Sequence, residues 1–173
     1  MKRIIASVIL VLSVWNAEAQ ERQLGLMVGP KFNGEVAVGM NYYWQLSQVL
    51  VGPSVEGHFV SNVKGSTTTL IAPGANIALR IKMPYGFIYP GVTGHYRFGK
   101  DYNGLEFGAT LGGVLFITPW LGVNFETGYR FHSGNDKGVY QDPVVTGLSG
   151  VSGNTVPVLL GLRYKFVKKE ENP

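Results

Sequence analysis

The chain has 173 residues, with Lys+Arg 15 against Asp+Glu 11, a net charge of +4, Gly 24 and Cys 0. The length bounds one ordinary domain, and the lack of cysteine excludes a disulfide-stapled fold. The charge excess is mild and forms no stripe, its one dense cluster being Lys165, Lys168 and Lys169, so nucleic acid is excluded as a partner.

The first nineteen residues read as a secretory signal. Lys2 and Arg3 precede an apolar run from Ile4 to Trp15, and Ala17-Glu18-Ala19 places small residues where a signal peptidase reads them. The run is too short for a spanning helix, which needs about 20 apolar residues. Removal of this segment takes away Lys2, Arg3 and Glu18 and leaves 13 basic against 10 acidic residues, a net charge of +3.

From there the sequence alternates with period 2, the pattern of β-strands. Eight segments are predicted, at about 23–32, 34–44, 49–59, 70–83, 87–98, 105–117, 121–132 and 155–166. Most are near the 9–11 residues of a tilted membrane-crossing strand. Each has an apolar face and a mixed one. On the sixth, Phe107, Ala109, Leu111 and Leu115 oppose Glu106, Gly108, Thr110 and Gly112; on the seventh, Val123, Phe125, Tyr129 and Phe131 oppose Asn124, Glu126, Arg130 and His132.

Alternation leaves the direction of the apolar face open. A soluble lipocalin-like carrier turns it inward, whereas a membrane barrel turns it outward. Two features favour outward. The second, fourth and sixth connections are short, near Gln45–Gln48, Pro84–Gly86 and Thr118–Trp120. The third, fifth and seventh are read as longer, at Ser61–Thr69, Gly99–Gly104 and Ser133–Asn154, with the tight Asn33-Gly34 hairpin as the exception. The apolar-face aromatics also sort to the two rims. Phe32, Phe59, Tyr96, Phe98, Phe107, Tyr129 and Phe131 fall towards the long loops, and Tyr42, Trp44, Trp120, Tyr164 and Phe166 towards the short turns. Two aromatic girdles around an aliphatic band are expected where hydrocarbon meets headgroups.

With these features the chain resembles the small eight-stranded outer-membrane barrels, the OmpA membrane domain and OmpX-like proteins among them, over about residues 20–166. The stretch Leu159-Leu160-Gly161-Leu162-Arg163-Tyr164-Lys165-Phe166 looks like a terminal strand signal with a closing aromatic. In many such proteins the aromatic is the last residue; here Val167 to Pro173 follow and read as a polar periplasmic tail. The resemblance implies an all-β, eight-stranded antiparallel up-and-down transmembrane β-barrel in a bacterial outer membrane. It further implies contact with outer-membrane lipid and lipopolysaccharide, and insertion by the barrel assembly machinery.

An eight-stranded barrel is just wide enough for side chains to fill it. Its inward positions carry Glu56, Arg80, Arg97, Glu106, Glu126, Arg130 and Arg163. Unpaired buried charge is costly, so these are expected to pair into a network that fills the lumen and leaves no conducting pore. His58, His95 and His132 all face inward near the long-loop rim, which makes them a possible polar or metal site at the mouth. They lack short ligand spacing, so the expectation is no metal and no cofactor.

An enzyme is not expected. Arg130-Phe131-His132-Ser133-Gly134-Asn135 loosely resembles the His-x-Ser-Asn element of lipid A deacylases, but Ser133 directly follows His132 and alternation separates the two. The nearest acids, Asp136 and Asp142, are in a loop, whereas a Ser nucleophile needs a base and an orienting acid in reach. The expected role is structural or surface-interacting, with the loop 133–154 as a possible site for an extracellular partner. Small-ligand binding or passage at the barrel mouth is the alternative.

Overall fold

The computed structural model describes residues 21–32, 34–61, 67–100, 102–136, 144–146 and 150–166. The segment 1–19 read as a secretory signal, Asn33, and the residues 167–173 with Lys168 and Lys169 lie outside the described residues.

Eleven strands follow in order: β1 (Glu21–Lys31), β2 (Glu35–Leu46), β3 (Val49–Ser61), β4 (Thr67–Leu79), β5 (Ile81–Met83), β6 (Gly86–Phe98), β7 (Tyr102–Phe116), β8 (Leu121–Asp136), β9 (Val144–Thr146), β10 (Gly150–Thr155) and β11 (Val158–Phe166). They form eight staves. The fourth is β4 continued by β5, interrupted at Arg80, whose backbone N–H donates to Gln48 O at 2.6 Å. The eighth is β10 continued by β11, interrupted at Pro157, which has no N–H to give a ladder. Neighbouring staves pair antiparallel, and β11 pairs with both β8 and β1, from Val158↔Thr127 to Tyr164↔Leu121 and from Arg22↔Phe166 to Val28↔Leu160. The result is a closed eight-stranded barrel with no open edge through its wall.

The alternation read from the sequence maps onto this wall. Leu26, Val28, Val38, Ile77, Val92, Leu111, Val123, Leu160 and Leu162 point out and stay exposed, while Glu56, Arg97, Glu106, Glu126, Arg130 and Arg163 point in and are buried. A barrel that leaves its aliphatic residues exposed and buries its charges is inverted relative to a water-soluble carrier. At the β1–β2 hairpin, Gly34 takes φ 83° and its N–H donates to Lys31 O at 3.1 Å. That is the left-handed conformation a tight turn asks of glycine.

Three sequence expectations change. The fifth connection is not long, because β7 begins at Tyr102 and the Gly99 N–H donates to Tyr102 O at 2.8 Å. Tyr102 is drawn into the ladder because its ring is buried inside the barrel with Val60 and Leu70. The loop 133–154 is shorter than expected. Strand β8 runs on to Asp136, and β10 pairs with it from Thr155↔Arg130 to Val151↔Gly134. The third connection contracts likewise, with β4 starting at Thr67.

The aromatic girdles form, with one departure. On the short-turn rim the rings touch in sequence: Trp120 to Tyr164 at 5.8 Å, Tyr164 to Phe166 at 5.0 Å, Phe166 to Tyr42 at 6.1 Å and Tyr42 to Trp44 at 5.2 Å. On the other rim Phe107 meets Phe131 at 5.3 Å and Tyr96 meets Phe98 at 6.2 Å, with Phe32, Phe59 and Tyr129 exposed beside them. Trp44 is the departure. It is only 8% exposed, packed edge-on against Tyr42, so its ring is a filler more than a free interfacial anchor.

Candidate functional site

The lumen is packed in layers. At the short-turn end Tyr43, Leu50, Ala78, Phe87, Tyr89 and Val114 form an apolar plug. At the long-loop end Val60, Leu70 and Tyr102 form a smaller one. Between them lies the charge cluster. Gly112 shows how closely the plug fits, since a Cβ there would run into the Tyr89 ring.

Arg130 is the hub of the cluster. Its Nη1 reaches Glu56 Oε1 at 2.8 Å and Glu106 Oε1 at 3.1 Å, and its Nη2 reaches Glu126 Oε1 at 2.9 Å. Lys31 Nζ lies 3.1 Å from Glu106 and 3.4 Å from Glu56. Arg97 bridges Glu35 at 2.6 Å and Glu106 at 3.1 Å. Lower down, the Arg163 guanidinium packs over the rings of Tyr43 and Tyr89, 4.8 and 5.0 Å from their centroids, and Nη2 donates to Tyr89 Oη at 3.3 Å. The single proton of the Tyr89 hydroxyl has Asn124 at 2.9 Å and Glu126 at 3.3 Å as alternative acceptors, which links Arg163 to the cluster. Four buried cations (Lys31, Arg97, Arg130 and Arg163) therefore face four buried carboxylates (Glu35, Glu56, Glu106 and Glu126). Mutual pairing is the condition under which such groups persist away from water.

Lys31 and Glu35 are the members that sequence reasoning missed. They flank a three-residue hairpin loop, where charged side chains are ordinarily solvated, yet they are 2% and 1% exposed. The signal was available in the parity: Phe32 and Val36 point outward, so their neighbours Lys31 and Glu35 point inward.

Arg80 does not belong to this network. It stands at the short-turn end beyond the apolar plug, where it bonds Gln45, lies 3.4 Å from Glu21 and stacks 4.8 Å over Phe87. Parity correctly turned it inward, but depth along the strand separates it from the carboxylates of the cluster.

The three histidines do not line an open mouth; each is 3% exposed or less. His58 Nδ1 bonds Glu35 at 3.0 Å. His95 bonds Ser54 at 2.9 Å and Thr93 at 3.3 Å. His132 is opposite Glu106 on β7 and packs against Gly153. Ligand atoms of Glu56, His95 and Glu106 come within 4.8 Å of one another. Both carboxylates, however, already hold Lys31 and Arg130. A divalent ion placed there would meet two fixed cations, so the donor set is that of a salt-bridge cluster. His132 and Ser133 lie on opposite faces of β8, the one buried and the other exposed, which keeps the hydroxyl out of reach of the imidazole.

No protein-family profile and no curated protein matches the sequence. Among solved structures, the fold is similar to a de novo designed transmembrane β-barrel, with a TM-score of 0.52 and 15% identity over 86% of this chain and 97% of that one. It is also similar to Neisserial surface protein A (NspA), with a TM-score of 0.55 and 12% identity over 84% of this chain and 95% of that one. The chain thus has the eight-stranded antiparallel transmembrane-barrel fold.

Proposed function

We infer that this protein is a non-enzymatic integral barrel of the bacterial outer membrane, exported by its signal segment, with a structural or surface-interaction role. The observation that carries this reading is the lumen. Its charges balance, four cations against four carboxylates, and are closed off at both ends by apolar side chains, which favours a rigid stave-like body over a conduit or a reaction centre. The outward aliphatic band and its two aromatic girdles suit a surround of phospholipid and lipopolysaccharide. The closing strand with Tyr164 and Phe166 suits delivery by the barrel assembly machinery. On such a body the parts free to recognise a partner are the connections beyond the long-loop rim. The extension of β8 and β10 past the rim makes the segment 137–149 the leading candidate.

Two measurements test this. An epitope inserted within 138–148 should be labelled by antibody on intact cells, whereas one inserted at the Ser47–Gln48 turn should be labelled only after the envelope is opened. In planar bilayers the purified barrel should show no stepwise ion current. Sustained conductance would contradict a sealed lumen, and labelling of the Ser47–Gln48 turn alone would reverse the orientation.

A further inference from the structure

The short-turn mouth is a second concavity, separated from the charge cluster by the apolar plug. Phe116 lines it and packs on Phe87 of the plug beneath, with ring centroids 6.0 Å apart. A cavity of about 530 Å³ opens there, lined by Arg80, Lys82 and Lys165 together with Met83, Tyr85 and Ile117. An adjoining cavity of about 400 Å³ shares Arg80 and Lys82 and reaches Gln45 and Gln48.

The charges here do not balance as those of the lumen do. Among the described residues Glu21 is the one carboxylate at this mouth, and it is already shared, 2.8 Å from Lys165 Nζ and 3.4 Å from Arg80 Nη1. Lys82 is exposed and has no ion pair among the described residues. Three cations therefore face one carboxylate. They also differ in kind. The Arg80 side chain is 9% exposed and held in place by Gln45 and the Phe87 ring, and its Nε is buried without a partner. Lys82 beside it is an exposed ammonium on a four-carbon stem. A fixed guanidinium next to an adaptable ammonium is a combination suited to phosphate.

The wall of the same cavity points to what the phosphate is attached to. Met83, Tyr85 and Ile117 are 49%, 79% and 70% exposed, and they continue the outward apolar face at the level of Trp120. A group bound there meets cations on one side and apolar surface on the other, as a headgroup at a bilayer interface does. We propose that this mouth binds a phosphate group, supplied by an anionic phospholipid of the leaflet at the short-turn end. The proposal rests on the membrane assignment made above.

The test uses full-length mature protein in neutral detergent, with bound molecules read by native mass spectrometry. Short-chain phosphatidylglycerol should be retained, and phosphatidylcholine of the same chain length should be retained more weakly. Each interfacial cation contributes about five-fold in affinity, so Lys82→Glu should weaken phosphatidylglycerol retention by at least that factor. Lys100→Glu, the same charge change at the opposite rim, should leave it unchanged. Inorganic phosphate is titrated in parallel. Its retention by the native protein and loss in Lys82→Glu, without discrimination between the two lipids, would keep the phosphate site but assign it to a dissolved ligand. Equal retention of both lipids with no response to phosphate, or equal effects of the two substitutions, would overturn the proposal. Gel migration of the same sample before and after boiling reads the membrane assignment separately. If that fails, the phosphate titration still reads the mouth.

Discussion

Arg130→Met should lower the unfolding free energy by about 3–5 kcal/mol, the cost of breaking a buried ion cluster by removing one partner. Arg130 touches Glu56, Glu106 and Glu126 at once. Its loss leaves those carboxylates with Lys31 and Arg97, which are themselves divided between Glu35, Glu56 and Glu106. Among the described residues, Glu126 is left with the hydroxyl of Tyr89 alone. The thioether of Met fills much of the vacated space, so the effect reports charge more than volume. Arg163→Met is the comparison. No carboxylate lies within ion-pair distance of Arg163 among the described residues, its contacts being two rings, Asn41 and Tyr89. It should cost clearly less. Reversible urea unfolding in lipid vesicles measures both. A change of under about 1 kcal/mol for Arg130→Met would mean that the lumen is wet enough to solvate the carboxylates, against the sealed arrangement.

Leu111→Arg should cost about 2–4 kcal/mol in vesicles, the penalty for arginine on the lipid face near the bilayer midplane. Leu111 is 46% exposed on the outward face of β7. If that face met water, the same substitution would fall within about 0.5 kcal/mol of neutral, as surface changes ordinarily do. Ser133→Arg supplies the depth control. Ser133 is exposed on β8 just beyond Phe131 in the long-loop girdle, where the penalty should drop to about 0–1 kcal/mol. A gradient between the two positions is a property of a bilayer and not of a soluble surface. The inward neighbour Thr110 is a poor control. It stands between Gly91 and Gly128 in a lumen whose charges already cancel, so an arginine there would be a fifth cation without a partner.

The eight staves of the wall, their order and the facing of their residues were legible in the sequence, while the β9–β10 pairing beyond the wall was not. Period 2 is a local property that the pleat preserves, and Leu111, Glu126 and Arg163 each fall on the face that alternation assigns. What was not legible was depth. Parity turns Arg80 inward but does not say that Phe87 and Tyr89 seal it from Glu126. It turns His58, His95 and His132 inward but does not say that Val60, Leu70 and Tyr102 close the lumen above the charge cluster. The inward aromatics were the overlooked signal. Tyr43, Phe87 and Tyr89 fall on the inner face by the same alternation that was used for the charges, and three large rings in one narrow bore leave little room for anything else. The long-loop rim differs for a related reason: glycine and asparagine at Gly99–Gly104 and Gly134–Asn135 read as loop, yet the ladder of β7 and β8 carries on through Gly104↔Gly134 and Asn103↔Asn135.

The most direct test of a closed transmembrane barrel is the electrophoretic migration of the protein in detergent, unheated and boiled, alongside its distribution among cell fractions. The account predicts a compact unheated band that shifts on boiling, recovered with the outer membrane. A single band unaffected by heat, recovered in the soluble periplasmic fraction, would contradict it.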